Sequence, residues 1–550
     1  MTARSLSALP MPDPRHLIVA ALAAGIALLS TLPQDLSPQG QMALAVSGLA
    51  ILGWVGTRIP ESLVALAAVL ALVLGGVLTE AQLFTALGSE LVWLLLSSFV
   101  IAAVAKEAGL TQRLVAPLLV RGMRVLPLFL ALTLAIAATA FVLPSTSGRA
   151  ALLLPVFAAI AGALPDPRLV RALALLFPTV ILLSAGASLI GAGAHLLAAQ
   201  AIRGASGIRL GYLDWAMLGL PFSALASLIG ALLILWLFVP RADWWRPLPR
   251  IDLSAPSPEA RRRQARIGLI LTLIVGLWLS AGLHGIGMSL VALIGALILL
   301  TPPFTDKKPK EIFRAVDTEM LLYMTATVLI AEAMTATGTD HWLAGQALAV
   351  LPPAWSGSLP VVVVLISVTA VLAHLAITSR SARAAVLIPA VALPLAALGH
   401  DPALMILIAV MGTGFCQSMM ASAKPVAIFG NAEGAGFDQR DLMRLALPLA
   451  PAVTALLIAF ALLVWPAQLA GLRGDAPRPL PAATLVASAV VLTPAPAPLV
   501  AATRPVPRPK REVTSENMRR AVSARRSTSP DALHPLNRML RPAGIRLTIR

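Results

Sequence analysis

Apolar runs of about twenty residues, the length a helix needs to cross a bilayer core, recur from His16 to Trp465. Short polar or proline-bearing stretches separate them. The pattern predicts membrane spans at 16–33, 40–57, 61–78, 90–108, 172–200 and 217–239, then at 266–283, 286–302, 319–337, 403–429 and 442–466. Two more apolar segments, 126–164 and 359–398, are interrupted midway by polar residues and read as hairpins. Polar loops at membrane depth are tolerated only where they are buried in protein or line a cavity, so these are expected to be re-entrant. The predicted fold is an all-α polytopic membrane protein with about 11 transmembrane segments plus two re-entrant hairpins in an inverted repeat.

The two interruptions are nearly the same sequence. Ser145-Thr-Ser-Gly-Arg-Ala-Ala-Leu-Leu-Leu-Pro155 and Ser379-Arg-Ser-Ala-Arg-Ala-Ala-Val-Leu-Ile-Pro389 both fit Ser-x-Ser-x-Arg-Ala-Ala-x-Leu-x-Pro. Two further landmarks recur in the same order. Glu90, followed by Gly109, parallels Glu319, followed by Gly338, and Gly211–Pro221 parallels Gly436–Pro448. A duplicated pair of broken apolar segments is the sequence pointer to the substrate site of a secondary transporter.

The organisation that follows has five parts: an N-terminal segment 1–15, a first membrane repeat 16–240 with hairpin 126–164, a basic linker 241–265, a second repeat 266–470 with hairpin 359–398, and a tail 471–550. The start carries two Arg and no small-residue cleavage site after a short apolar core, so 16–33 reads as a retained span. The tail is rich in Ala, Pro, Arg and Ser and is expected to be disordered. Within it Leu480–Thr503 is long and uncharged enough to span, yet contains Pro481, Pro494, Pro496 and Pro498, so both readings stay open.

Composition agrees with the pattern. Residues are 58% hydrophobic and 12% charged, against roughly 25% charged in a soluble domain, and the mean hydropathy is +0.86. Net charge is +17, and 12 Lys/Arg against 3 Asp/Glu in 504–550 supply a large part of it. The rest lies mainly in short loops, as the positive-inside rule expects, so no nucleic-acid partner is implied. If the basic loops 113–124, 241–265, 307–314 and 440–444 all face the cytoplasm, the hairpins enter from opposite sides. The expected location is a cell inner (plasma) membrane. Cys416 is the only cysteine, which excludes an intrachain disulfide. No His, Glu and Cys grouping has metal-ligand or nucleophile–base spacing, so no enzyme and no cofactor are expected.

The hairpin tips resemble those of the divalent anion/sodium symporter (DASS) family, whose members carry dicarboxylates, citrate or sulfate. That family has Ser-Asn-Thr at each tip. Here the tips read Ser145-Thr146-Ser147-Gly148-Arg149 and Ser379-Arg380-Ser381-Ala382-Arg383. Ser188-Leu-Ile-Gly191-Ala-Gly193 and Ala423-Lys424-Pro425 resemble the family's two unwound segments. The resemblance covers about residues 40–466. It implies alternating-access transport of a small divalent or multivalent anion, dicarboxylate first and sulfate-like oxyanion second, in the bilayer and as a homodimer. The substrate-binding candidates are Ser145, Thr146, Ser147, Arg149, Ser379, Arg380, Ser381, Arg383 and Lys424. The cation-binding candidates are Thr146, Gly191 and Gly193.

The departures matter as much. Both tip Asn residues are replaced, by Thr146 and Arg380, and both following Thr by Arg149 and Arg383. A hard cation needs oxygen ligands, whereas guanidinium offers five donors and no acceptor. Arg380 thus implies loss of the second sodium site. The arginines can instead hold an anion bidentately at helix N-termini, or pair with Glu90, Glu319 or Glu332. His195, His374 and Glu332 are further candidates for proton movement. Exchange or proton coupling on the same fold is the rival reading. A membrane enzyme or sensor on a transporter-like scaffold is the reading from a different class.

Overall fold

The computed structural model describes residues 14–31, 33–57, 59–110, 123–248, 257–350, 355, 357–432 and 437–474. The basic cluster 113–124, most of the tail and the 480–503 segment fall largely or wholly outside these residues. Among the described residues the elements are helical. Seven are at least 18 residues long and apolar enough to cross a membrane, and five shorter apolar helices accompany them.

The first repeat begins with α1 (Pro14–Leu29), α2 (Pro38–Gly56), α3 (Glu61–Leu74), the short α4 (Glu80–Leu87) and α5 (Glu90–Glu107). A hairpin follows, made of α6 (Val125–Ala138), a 3-10 turn Thr139–Phe141 and α7 (Thr146–Ala163). Next come α8 (Pro167–Ser184), α9 (Gly193–Ser206) and the long α10 (Tyr212–Phe238). The second repeat runs α11 (Pro258–Leu279), α12 (Met288–Leu299), the short α13 (Pro309–Phe313), α14 (Thr318–Ala336) and α15 (Thr339–Val350). Its hairpin is α16 (Leu359–Leu372), a 3-10 turn Ala373–Leu375 and α17 (Arg380–Leu387), which continues through a π-turn into α18 (Leu393–Ala397). Last are α19 (Pro402–Gly412), α20 (Lys424–Gly430), α21 (Gln439–Leu463) and α22 (Trp465–Gly474).

The helix ends carry the same chemistry in both halves. Asp166 and Asp401 each cap a helix that starts on proline, accepting from the N–H of Arg168 and Ala403. α5 and α14 both end two residues before a left-handed glycine, Gly109 at φ +65 and Gly338 at φ +70, a conformation that glycine adopts without a Cβ clash. Asp214 closes α10 by accepting from the Gly211 N–H, and Asp441 and Asp438 form the equivalent box at α21.

The runs 172–200 and 403–429 each break, at 185–192 and 413–423, where Ser188–Gly193 and Ala423–Pro425 resemble the family's unwound segments. Two features differ from the sequence reading. α11 starts at Pro258, eight residues before its apolar run, because Ser257 caps it and the basic residues there face outward. α15, which follows Gly338, lies outside the predicted spans, and α22 runs on past the last of them. The helix pairs around the two polar tips run Val125–Ala163 and Leu359–Ala397.

α8 lies at the centre, with 94% of its membrane-length window buried. It packs on α10, on both arms of the first hairpin, and on α20 of the second repeat. An aromatic cluster of Phe157, Phe177 and Phe429 joins α7, α8 and α20. α2, α3, α5, α12 and α14 form a second packed group, with α3 lying along α14.

Candidate functional site

Each hairpin turns on a serine. Ser145 Oγ accepts from the Gly148 N–H and Ser379 Oγ from the Ala382 N–H, both at 3.3 Å. The serines thereby cap α7 and α17 and leave the first-turn residues facing inward. Both tips open on one cleft of about 420 Å³. Ser145, Thr146 and Ser147 line it from the first repeat, and Ser379, Arg380, Ser381 and Arg383 from the second. The N-terminal ends of α9 (Ala192, Gly193) and α20 (Ala423, Lys424, Pro425) complete the wall. Helix N-termini present free N–H groups and the positive dipole end, so the surroundings suit an anion. Lys424 is exposed to the cleft.

The opposite wall belongs to α3 and α14. Glu61, Ser62, Asp317, Glu319 and Tyr323 line it. Glu319 Oε1 accepts from Ser62 Oγ at 2.9 Å, and Asp317 caps α14. Glu61 shares the cleft with Ser379 and lies within electrostatic reach of Lys424. Glu61 and Asp317 were not among the candidates read from sequence, and Glu319 was read only as an alternative partner for the arginines. The signal that could have found them is their place at helix N-termini, next to the apolar run.

Arg149 is placed apart from the other candidates. It is fully buried and does not line the cleft. Its guanidinium donates four hydrogen bonds: Nε to Thr139 Oγ1 (2.8 Å), Nη1 to the Ile181 carbonyl (2.9 Å), and Nη2 to the Ile136 carbonyl and Ser184 Oγ (both 2.8 Å). It therefore ties the hairpin turn to the C-terminal end of α8. Arg383, its counterpart, donates from Nη2 to the Thr413 carbonyl (3.0 Å) and to Cys416 Sγ (2.7 Å), at the end of α19. The Nε–H of Arg383 is buried and has no protein partner. Arg380 reaches between the repeats, donating from Nη1 to the Leu182 carbonyl (3.1 Å) and from Nε to Thr413 Oγ1 (3.2 Å). None of the three arginines joins an ion pair with Glu90, Glu319 or Glu332 among the described residues.

The breaks are built by close contacts. A Cβ on Gly191 would lie 2.2 Å from the Ala185 carbonyl oxygen, so the chain can double back there only on glycine. Gly193 meets instead the flexible ends of Met320 and Met324. Trp215 Nε1 donates to the Gly186 carbonyl (3.0 Å), and Tyr212 bridges Ser188 to the Phe141 carbonyl of the hairpin. His195 holds the Ser188 carbonyl through Nδ1 at 3.0 Å, and His374 pairs with Ser418 in the second break. Glu332 lines a separate, larger cavity between α9, α14, α15 and the second hairpin.

Two opposed hairpins and two broken helices around a polar cleft in a multi-pass helical membrane protein are the architecture of a secondary transporter. Residues 14–470 match the family described as the sodium:sulfate symporter transmembrane region. The chain belongs to that family, the divalent anion/sodium symporters that the hairpin tips resemble, and it is a membrane transporter rather than an enzyme. A Bacillus subtilis (strain 168) protein named "Putative malate transporter YflS" is 23% identical over 322 residues, covering 56% of this chain and 67% of that protein. The crystal structure of the Alcanivorax borkumensis YdaH transporter aligns over 82% of this chain and 98% of its own, with 16% identity and a TM-score of 0.49.

Proposed function

We propose that this protein carries a small divalent anion, a dicarboxylate first and a sulfate-like oxyanion second, by alternating access. The observation that carries the reading is the single cleft in which both hairpin tips meet Arg380, Arg383 and Lys424. Its volume suits a compact four-carbon dianion. Tip hydroxyls, the two helix N-termini that open on it and the unpartnered Arg383 Nε–H supply donors, and Lys424 supplies a mobile positive charge. The substrate named for the Bacillus subtilis relative supports the dicarboxylate, and the family description supports sulfate as the alternative.

In this reading Arg149 holds the first hairpin and does not touch the anion. Glu61 and Glu319 balance the positive charge of the cleft when no anion is bound. α3 and α14 belong to the stationary part, and the hairpins with the broken helices move past them. A homodimeric scaffold is part of the proposal. Uptake of labelled malate, succinate, citrate and sulfate into proteoliposomes tests it. Saturable uptake of a dianion, with cross-competition by the others, is expected. A folded protein that moves none of them would overturn it.

A further inference from the structure

We infer that the guanidinium of Arg380 is a resident cation that takes the place of a dissociable coupling ion, so that the anion crosses without sodium. The inference rests on the transport reading above and concerns the ion that accompanies the substrate.

α8 ends at Ser184 and α19 at Gly412, and both ends lie inside the protein rather than in water. A helix C-terminus leaves its last carbonyls without intrahelical partners and carries the negative end of the dipole. Two such ends facing each other at membrane depth call for a cation. A sodium ion could meet that need by collecting carbonyl and hydroxyl oxygens.

Arg380 already meets it. Its side chain, 8% exposed, reaches the Leu182 carbonyl of the first repeat and the Thr413 hydroxyl of the second. Thr413 donates its own proton to the Val410 carbonyl, which leaves a lone pair for Arg380 Nε. Gly414 makes the room: a Cβ there would stand 3.3 Å from Arg380 Nη2. Arg149 covers the Ile181 carbonyl and Ser184, and Arg383 covers the Thr413 carbonyl, so fixed charges serve both helix ends. A sodium ion placed among these oxygens would compete with donors already seated on them and would meet three positive charges. The residues do not fit the ion that the family description names.

The charge also travels with the hairpin that carries it. A covalently held cation cannot be left on the far side, so no cation gradient is spent on the anion.

The test uses the full chain, purified and reconstituted into proteoliposomes. Labelled-malate exchange is measured in sodium chloride and in choline chloride of equal ionic strength. The wild type is expected to give equal initial rates. Arg380→Asn should lose exchange in choline and regain part of it in sodium. A wild-type rate that rises and saturates with sodium would overturn the inference, as would an Arg380→Asn protein with the wild-type rate in choline.

A second arm does not depend on transport. The melting temperature of the anion-free wild type should be the same in both salts, while that of Arg380→Asn should rise in sodium. A sodium-specific rise in the wild type overturns the inference even if no anion in the panel is moved. Absence of all uptake with the expected melting behaviour would instead count against the transport reading alone.

Discussion

Arg149 Nη2 lies 2.8 Å from Ser184 Oγ, and this bond joins the tip of the first hairpin to the C-terminal end of the broken helix behind it. Arg383 makes the corresponding connection through the Thr413 carbonyl. The Ser-x-Ser-x-Arg repeat is thus in part a device for fastening a hairpin. Replacing Arg149 by Ala would orphan several buried acceptors, each costing about 1–3 kcal/mol. Arg149→Ala is expected to lower the detergent melting temperature sharply. Arg149→Lys should recover little, because an ammonium cannot span the same four acceptors. Anion affinity of the folded fraction should stay within about threefold of wild type, roughly 0.6 kcal/mol. A large affinity loss without a melting change would show that Arg149 contacts substrate.

Lys424 should behave in the opposite way. It is exposed in the cleft and begins a short helix, so its removal leaves the fold intact. Lys424→Ala is expected to weaken dianion binding about ten- to a hundredfold, the worth of a charged contact of roughly 1.5–3 kcal/mol, with an unchanged melting temperature. Isothermal titration in detergent measures the first quantity and scanning fluorimetry the second.

Glu61 lines the same cleft as Ser379 and Lys424, so in the proposed reading its charge opposes the anion. Glu61→Gln removes a negative charge from the cleft wall while keeping the shape. Dianion affinity should rise roughly tenfold, about 1–2 kcal/mol for a nearby like charge in a partly screened site. Weaker binding in this variant would mean that Glu61 positions the tip instead of opposing the substrate.

Gly191→Ala tests the first break. The new methyl would strike the Ala185 backbone, which cannot yield as a side chain does. Expression of folded protein should fall. Gly193→Ala meets only methionine ends and should fold. Size-exclusion profiles of the two variants, made side by side, read the difference.

Topology can be read by single-cysteine labelling. The background should be Cys416→Ser, since Cys416 Sγ accepts from Arg383 and a serine keeps an acceptor there. Hairpin 126–164 is expected to open to the cytoplasm, hairpin 359–398 to the opposite side, and linker 241–265 to be cytoplasmic. Equal labelling of both hairpin bases from one side would sink the inverted orientation.

Much of this architecture is written locally. Apolar run length sets the spans, and the duplicated tips set the hairpins, because a serine cap and a polar first turn are properties of a few neighbouring residues. The left-handed Gly109 and Gly338 and the Asp-Pro caps at 166–167 and 401–402 are local in the same sense. The helix breaks are local only in part. Ser188, Gly191 and Gly193 mark the first and Ala423-Lys424-Pro425 the second, but what holds them open comes from distant positions: Trp215 and Tyr212 at the first, Arg380 and Arg383 at both or the second. The arginines show the same division. Arg149, Arg380 and Arg383 all sit in the first turn of a hairpin helix, so sequence gives them one environment and one expected role. Tertiary packing separates them, since a guanidinium at membrane depth goes wherever unpaired carbonyls can accept its protons. Those carbonyls belong to helices that only the folded chain brings alongside.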